Sequence, residues 1–210
     1  MNTLAENPVK TIKSVIQKGI NNAMSYEEYR ALVRELAVLK SNSGMEKTEA
    51  LANYTQLNDK RMSRWDKTLR IPEVIANKVK QLRKKTTWLV LTESWCGDAS
   101  PSLPVMNKLA NVSPNLELKI VLRDENPELM NLFLTNGTQS IPKLIALDAQ
   151  NNTVLGDWGP RSSAATAMVN TFKAEHGKLS PEFKQELQLW YNKDKGKDIL
   201  NDLIALLALE

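Results

Sequence analysis

Trp88-Leu89-Val90-Leu91-Thr92-Glu93-Ser94-Trp95-Cys96-Gly97-Asp98-Ala99 is the stretch on which the reading of this chain turns. Its apolar run is short, bounded by polar residues and rich in strand formers, so it predicts a buried strand over Thr87–Thr92. The Trp-Cys-Gly segment then turns the chain into a helix beginning at Cys96. Cys96 is the only cysteine among 210 residues. Further on, Ile141-Pro142 opens a second apolar run, Leu144-Ile145-Ala146-Leu147.

Working outward, strand and helix patterns alternate. Strand Leu116–Leu122 leads to a helix after Pro127, and strand Lys143–Asp148 turns at Gln150-Asn151-Asn152 into strand Thr153–Gly156. A helix follows from Ser162, and two more are predicted over Pro181–Tyr191 and Asp198–Leu209. Upstream of residue 71 the pattern is helical. Val9, Ile12, Ile16 and Ile20 make one apolar stripe, and Ser25 with Glu28 reads as a capping box for a helix whose core face is Tyr29, Leu32, Val33 and Leu36. Ser41-Asn42-Ser43-Gly44 breaks that helix, and a helix pair is expected from Glu46 to Trp65. Pro72 suits the first turn of a helix carrying Ile71, Val74, Ile75, Val79 and Leu82 on one side. The expected organisation is therefore a helical N-terminal extension over 1–70, an α/β domain over 71–176, and C-terminal helices over 177–210.

Composition narrows the function classes. The 42% hydrophobic and 25% charged residues are those of an ordinary globular protein. No apolar stretch nears the roughly 20 residues that span a bilayer, so no membrane partner is expected. The start, Met1-Asn2-Thr3-Leu4-Ala5-Glu6-Asn7-Pro8, has no basic segment followed by an apolar one. With a lone cysteine that forms no internal disulfide, this reads as cytoplasmic. The formal charge is +4, from 28 basic and 24 acidic residues, too small and too dispersed for nucleic-acid binding. Lys78, Lys80, Arg83, Lys84 and Lys85, the densest basic cluster, read as a solvated helix face. The wide stripe Ile199, Leu200, Leu203, Ile204, Leu206 and Leu207 must be covered, by the chain's own domain or by a dimer partner.

A Trp-Cys-Gly at a strand-to-helix turn, followed later by Ile-Pro before another strand, resembles the thioredoxin superfamily. More narrowly, the chain is similar to a bacterial thioredoxin-like family with a helical N-terminal extension and a Trp-Cys-Gly-Asp-[Cys/Ala] site. The matching segments include Ala23-Met24-Ser25-Tyr26-Glu27-Glu28-Tyr29, Tyr54-Thr55-Gln56-Leu57-Asn58 with Arg61-Met62, Thr92 to Ala99, Arg123-Asp124-Glu125-Asn126, Leu134-Thr135-Asn136-Gly137, Ser140 to Ile145 and Trp158-Gly159-Pro160-Arg161. The resemblance implies an α/β thioredoxin fold: a central mixed β-sheet flanked by helices, with the N-terminal extension and C-terminal helices added.

It also implies a site. Cys96 is the expected nucleophile, at a helix N-terminus whose unpaired N–H groups favour an anion. Lowering a thiol from about 8.5 to roughly 6.5 takes about 2.7 kcal/mol. A helix end supplies about 0.3–2 kcal/mol of that, and an ionised Asp98 opposes it. Ala99 stands where a thioredoxin has its resolving cysteine, so the ordinary two-cysteine turnover is excluded. Val90 replaces the buried acid that relays protons to that second thiol, in keeping with its loss. Pro104 matches the kinking proline of the active-site helix.

Pro142 resembles the superfamily's cis-proline, and the backbone of Ile141 is then placed to pair with an extended peptide. Trp95, Gly97, Asp98, Ile141, Pro142 and Trp158 are the expected substrate-binding surface, with Trp158 and Gly159 in the loop after the fourth strand. Arg123 and Arg161 either stabilise a thiolate or hold an anionic substrate, or form salt bridges with Asp124 or Asp157. Glu93 is either a proton acceptor or an anchor for the helical extension.

Other chemistries lack residues. His176 is the only histidine and reads as a helix-end cap, so no metal is expected. No glycine-rich phosphate loop is present, and Asp98-Ala99 departs from the Cys-Gly-Phe-Ser of cluster-binding glutaredoxins. The leading expectation is a monothiol thiol–disulfide exchanger that forms a mixed disulfide at Cys96 with a protein or small-thiol substrate. No bound cofactor is expected; an external low-molecular-weight thiol would act as co-substrate. The alternatives are a non-catalytic protein-binding module of the same fold and a thiol redox sensor.

Overall fold

Strand β1 (Thr86–Thr92) forms the centre of the sheet, and all seven of its residues are buried. A strand so buried needs cover on both faces, and a continuous apolar run supplies it. It pairs in parallel with β2 (Leu116–Leu122) and antiparallel with β3 (Lys143–Asp148), which carries β4 (Val154–Trp158) on its far side. The four-stranded mixed sheet therefore has the order β2-β1-β3-β4. A computed structural model describes the backbone of residues 8–207 and the side chains of residues 12–207.

Helix α1 (Pro8–Asn21), α2 (Tyr26–Val38), α3 (Glu49–Thr68) and α4 (Glu73–Lys80) precede the sheet. Helix α5 (Ala99–Ala110) follows β1, α6 (Pro127–Leu132) follows β2, and α7 (Ser163–His176) follows β4. Helices α8 (Pro181–Asp194) and α9 (Lys197–Leu206) end the described chain. The β-α-β-α-β-β-α order of the central segment is that of an α/β thioredoxin fold with helices added at both ends.

The N-terminal helices are stitched to the sheet through backbone and polar groups. Met24 and Ile120 exchange N–H···O bonds of 2.8 Å each, so the α1–α2 turn closes the outer edge of β2. The capping box at α2 is present: Glu28 N–H donates to Ser25 Oγ and Ser25 N–H donates to Glu28 Oε2. Arg30, almost fully buried, pairs with Asp59 at 3.0 Å and Asp66 at 3.2 Å, fastening α2 to α3. On the core faces, Ile16, Tyr29 and Val33 are fully covered, whereas Ile12 is 37% exposed. The Val9 side chain and residue 209 lie outside the described residues.

Several boundaries differ from the sequence reading. Glu46–Trp65 is not a helix pair but one helix, α3, capped by Thr48. The helix runs unbroken, with Thr55 and Asn58 buried and bonded to Ser94. Val74 is 70% exposed, since α4 is only two turns long and buries Val79 instead. β4 continues to Trp158, which pairs with Leu144 and is therefore a strand residue rather than a loop residue.

The last helix is covered by its own chain. Ile199, Leu200, Leu203 and Ile204 are buried where α9 meets α5, α7 and β4, each worth about 1.5–3 kcal/mol of apolar transfer. Helix α7 has no side-chain cap of its own. Its open N–H groups are satisfied by α9: Ser163 N–H donates to Asp202 Oδ2 and Ala164 N–H to Asp198 Oδ2, both at 2.9 Å. Among the described residues no helix is long and apolar enough to cross a membrane.

Candidate functional site

The sheet's carboxyl end delivers Glu93 to Asp98 into a turn between β1 and α5, and that turn forms one wall of a cavity of about 830 Å³. Trp95, Cys96, Gly97, Asp98, Arg123, Ile141 and Arg161 all line it. Helix α3 supplies a second wall through Leu51, Tyr54, Leu57 and Arg61, and α8 a third through Leu187 and Gln188. The cleft thus lies between the thioredoxin-like core and the helices added at both ends.

Cys96 is a free thiol, 6% exposed, and its Sγ–H donates to the Ile141 carbonyl at 3.3 Å. The Ile141–Pro142 and Gly159–Pro160 peptide bonds are both cis. Burial pushes the thiol up to about 12, and the neighbouring Asp98 carboxylate adds to it. The Ala99 and Asp98 N–H groups at the start of α5 and the Arg161 guanidinium pull the other way. The helix-end stabilisation expected from sequence is present, but desolvation exceeds it. In the resting site Cys96 is protonated.

Asp98 is close enough to the thiol to oppose its ionisation. It pairs with Arg161 at 2.7 Å and accepts from Tyr191 Oη at 3.3 Å. Burial raises its pKa, and Arg161, Tyr191 and Arg61 hold that rise in check. Arg161 is thus tied to Asp98 rather than to Asp157, which pairs with Lys143. Arg123 pairs with Asp124 at 2.7 Å, and its guanidinium lies 5.1 Å from the centre of the Trp95 ring.

Glu93 is fully buried at the back of the turn. It accepts from Ser43 Oγ and from the Asp124 N–H, and burial raises its pKa. Ser94 beside it exchanges two bonds with Ser43 and shares a hydroxyl–hydroxyl bond with Thr55, while its carbonyl accepts from Asn58. Of the two sequence readings for Glu93, these contacts are those of an anchor: they fix the 41–45 loop and α3 against the cysteine turn.

Two expected binding residues do not line the cleft. Trp158 is 8% exposed, and its Nε1–H donates to Asp202 Oδ2 at 3.0 Å, so it serves the α9 contact. Pro142 lies behind Ile141, pressed against Gly159, where any side chain would run into the Pro142 carbonyl. Conversely, Arg61, Gln188 and Tyr191 were not singled out as site residues. Gln188 Nε2–H donates to the Gly97 carbonyl at 3.1 Å, which places α8 directly on the cysteine loop. Arg61 did lie in a segment that matched the resemblance, whereas Gln188 and Tyr191 carry no local motif. His176, in the last turn of α7, is exposed, and its ring lies tilted against Phe172 at 4.3 Å between centroids.

The architecture and the position of the cysteine turn define a thioredoxin-fold protein. A family model described as thioredoxin matches residues 44–175, more than half of the chain, and the chain belongs to that family. Among solved structures, it is similar to a protein of unknown function from Pseudomonas aeruginosa, with 16% identity and a TM-score of 0.63, covering 90% of this chain and 95% of that one. It is also similar to an HIV epitope scaffold, with 17% identity and a TM-score of 0.53, covering 88% of this chain and 98% of that one. Both likenesses concern the fold. No curated protein matches the chain.

Proposed function

We propose that this protein is a monothiol of the thioredoxin fold that captures a disulfide-bearing ligand in its cleft and holds it as a mixed disulfide at Cys96. The observation that supports this is the position of Sγ on the cleft wall, 3.3 Å from the Ile141 carbonyl. The Cys96 thiolate attacks one sulfur of the ligand disulfide, a new S–S bond forms, and the electron pair leaves on the other sulfur, which takes up a proton. No second cysteine exists to reverse this, so an external thiol must attack the mixed disulfide and return Cys96 as thiolate. Such a protein holds its ligand rather than cycling rapidly.

The buried thiol sets the speed. At pH 7 a pKa of about 12 leaves roughly one part in 100,000 ionised, against a few per cent for a free cysteine. The greater nucleophilicity of a more basic thiolate recovers about 30-fold of that loss, leaving exchange about 100-fold slower than for a free thiol. This burial favours a second reading, in which the cleft binds its ligand without covalent chemistry. Intact mass after incubation with a small disulfide separates the two. The monothiol reading expects one slow adduct that reductant removes and Cys96→Ser never forms; no adduct over a day leaves the non-covalent module.

A further inference from the structure

We infer that the cleft at Cys96 is built for a small organic anion carrying an apolar arm, a ligand class that refines the reading above. Five of the charged side chains on the cleft are cations and one, Asp98, is an acid. Two of those cations are already committed: Arg123 to Asp124 and Arg161 to Asp98. Arg61, Lys173 and Lys184 make no ion pair among the described residues. Arg61 is partly buried, burial lowers its pKa, and the bond from its Nη1 goes to the neutral amide oxygen of Asn58 at 3.2 Å. A guanidinium taken partly out of water, hydrogen-bonded only to a neutral amide and drawn through space toward Asp98 without pairing with it, is stabilised by an anion that reaches it.

The uncharged lining is mostly apolar, with Gln139, Ser140, Gln185 and Gln188 as its polar members. Tyr54 and Leu57 are 38% and 42% exposed, and both face the cleft beside Leu51 and Trp95. A helix that leaves such residues in a cleft offers a surface for a ring or chain. The volume of about 830 Å³ suits a ligand of drug-like size.

A docked protein strand fits less well. Strand addition needs free backbone groups at the site. Here the Ile141 carbonyl accepts from the thiol, and the Gly97 carbonyl accepts from Gln188 Nε2 and Ser100 Oγ. Helix α8 also occupies ground that a protein partner would need in order to reach the loop. What remains open is a pocket that carries three cations without an ion pair and the apolar side chains of α3.

Two probes test the assignment. The rate of Cys96 modification is compared for dithiobis(nitrobenzoate), an anionic aromatic disulfide, and for neutral dithiodipyridine, each normalised to N-acetylcysteine. The anion is expected to be preferred about tenfold, and the preference should vanish in high salt and in Lys173→Glu/Lys184→Glu, whose changed side chains are exposed on helix surfaces. In parallel, Cys96→Ser is titrated with naphthalene sulfonate and with neutral naphthalenemethanol, the anion being expected to bind about tenfold tighter and to weaken in Arg61→Gln. Equal normalised rates and equal affinities overturn the anion assignment while leaving the monothiol reading standing. Selective anion binding to Cys96→Ser, with no disulfide reacting at Cys96, leaves the cleft assignment and removes the monothiol reading.

Discussion

Asp98 and Arg161 meet at 2.7 Å directly beside the only thiol, so each controls what the other does to Cys96. The carboxylate opposes a thiolate and also engages the guanidinium that would favour one. Replacing Asp98 by Asn removes the first effect and weakens the second. Asp98→Asn is therefore expected to lower the Cys96 pKa and to speed iodoacetamide alkylation at pH 8 by about threefold, the gain in thiolate from a drop of about one pKa unit less its lower nucleophilicity. Arg161→Gln should slow it. An Asp98→Asn rate equal to or below wild type would show that this pair does not govern the thiol.

The same burial makes stability fall at alkaline pH. Folding raises the thiol from 9.0 to about 12, so between those values the native state retains a proton that the unfolded chain has lost. Native protein binds more protons there, and stability decreases as pH rises through the window; below it the group contributes nothing. At pH 10.5 the penalty is about 2 kcal/mol. Cys96→Ser lacks this ionisation, so the stability difference between the variant and wild type should shift by that amount in the variant's favour between pH 8 and 10.5. Urea melts at the two pH values measure it, and a constant difference would mean that the thiol ionises freely in the folded protein.

Glu93 should behave as a structural anchor. Glu93→Ala strands the Ser43 hydroxyl and the Asp124 N–H in a buried place, at a cost of about 2–4 kcal/mol. Hydrogen exchange should quicken first at residues 43–45, which the Glu93–Ser94 network holds down. Glu93→Gln keeps an acceptor and should recover much of that loss. A variant of wild-type stability whose alkylation profile alone changes would instead assign Glu93 to proton transfer.

How far the fold could be read from the chain follows from where each signal lies. β2 and β3 have the predicted bounds because an apolar run between turn residues is a local property. The cysteine turn and Ile141 were equally legible, being short motifs at an element boundary. Helix α3 was read as a pair, and the burial of Thr55 and Asn58 on one continuous helix rests on a partner, Ser94, distant in sequence. Trp158 was assigned to the site as a residue of the loop after the fourth strand; it ends β4 instead, and its partner, Asp202, stands on a different helix late in the chain. Arg61 and Gln188 reach the cleft, and Tyr191 reaches Asp98, only through packing of the added helices on the core, and no local pattern encodes that packing.

Ala99 decides whether the protein releases what it captures. It is 2% exposed at the first turn of α5, where its N–H is one of those aimed at the Cys96 sulfur. Ala99→Cys places a second thiol in that turn, at an overpacking cost of about 1–3 kcal/mol. With it, a mixed disulfide at Cys96 can be attacked from within: the introduced thiol forms an internal disulfide with Cys96, and the ligand leaves as thiolate. The adduct that wild type accumulates should then become transient, and the oxidised variant should carry no free thiol. The absence of an acid at Val90 predicts that this release is slow at neutral pH and quickens as pH rises. A stable ligand adduct on Ala99→Cys, unchanged from wild type over the same interval, would mean that the turn does not bring residue 99 within reach of the sulfur.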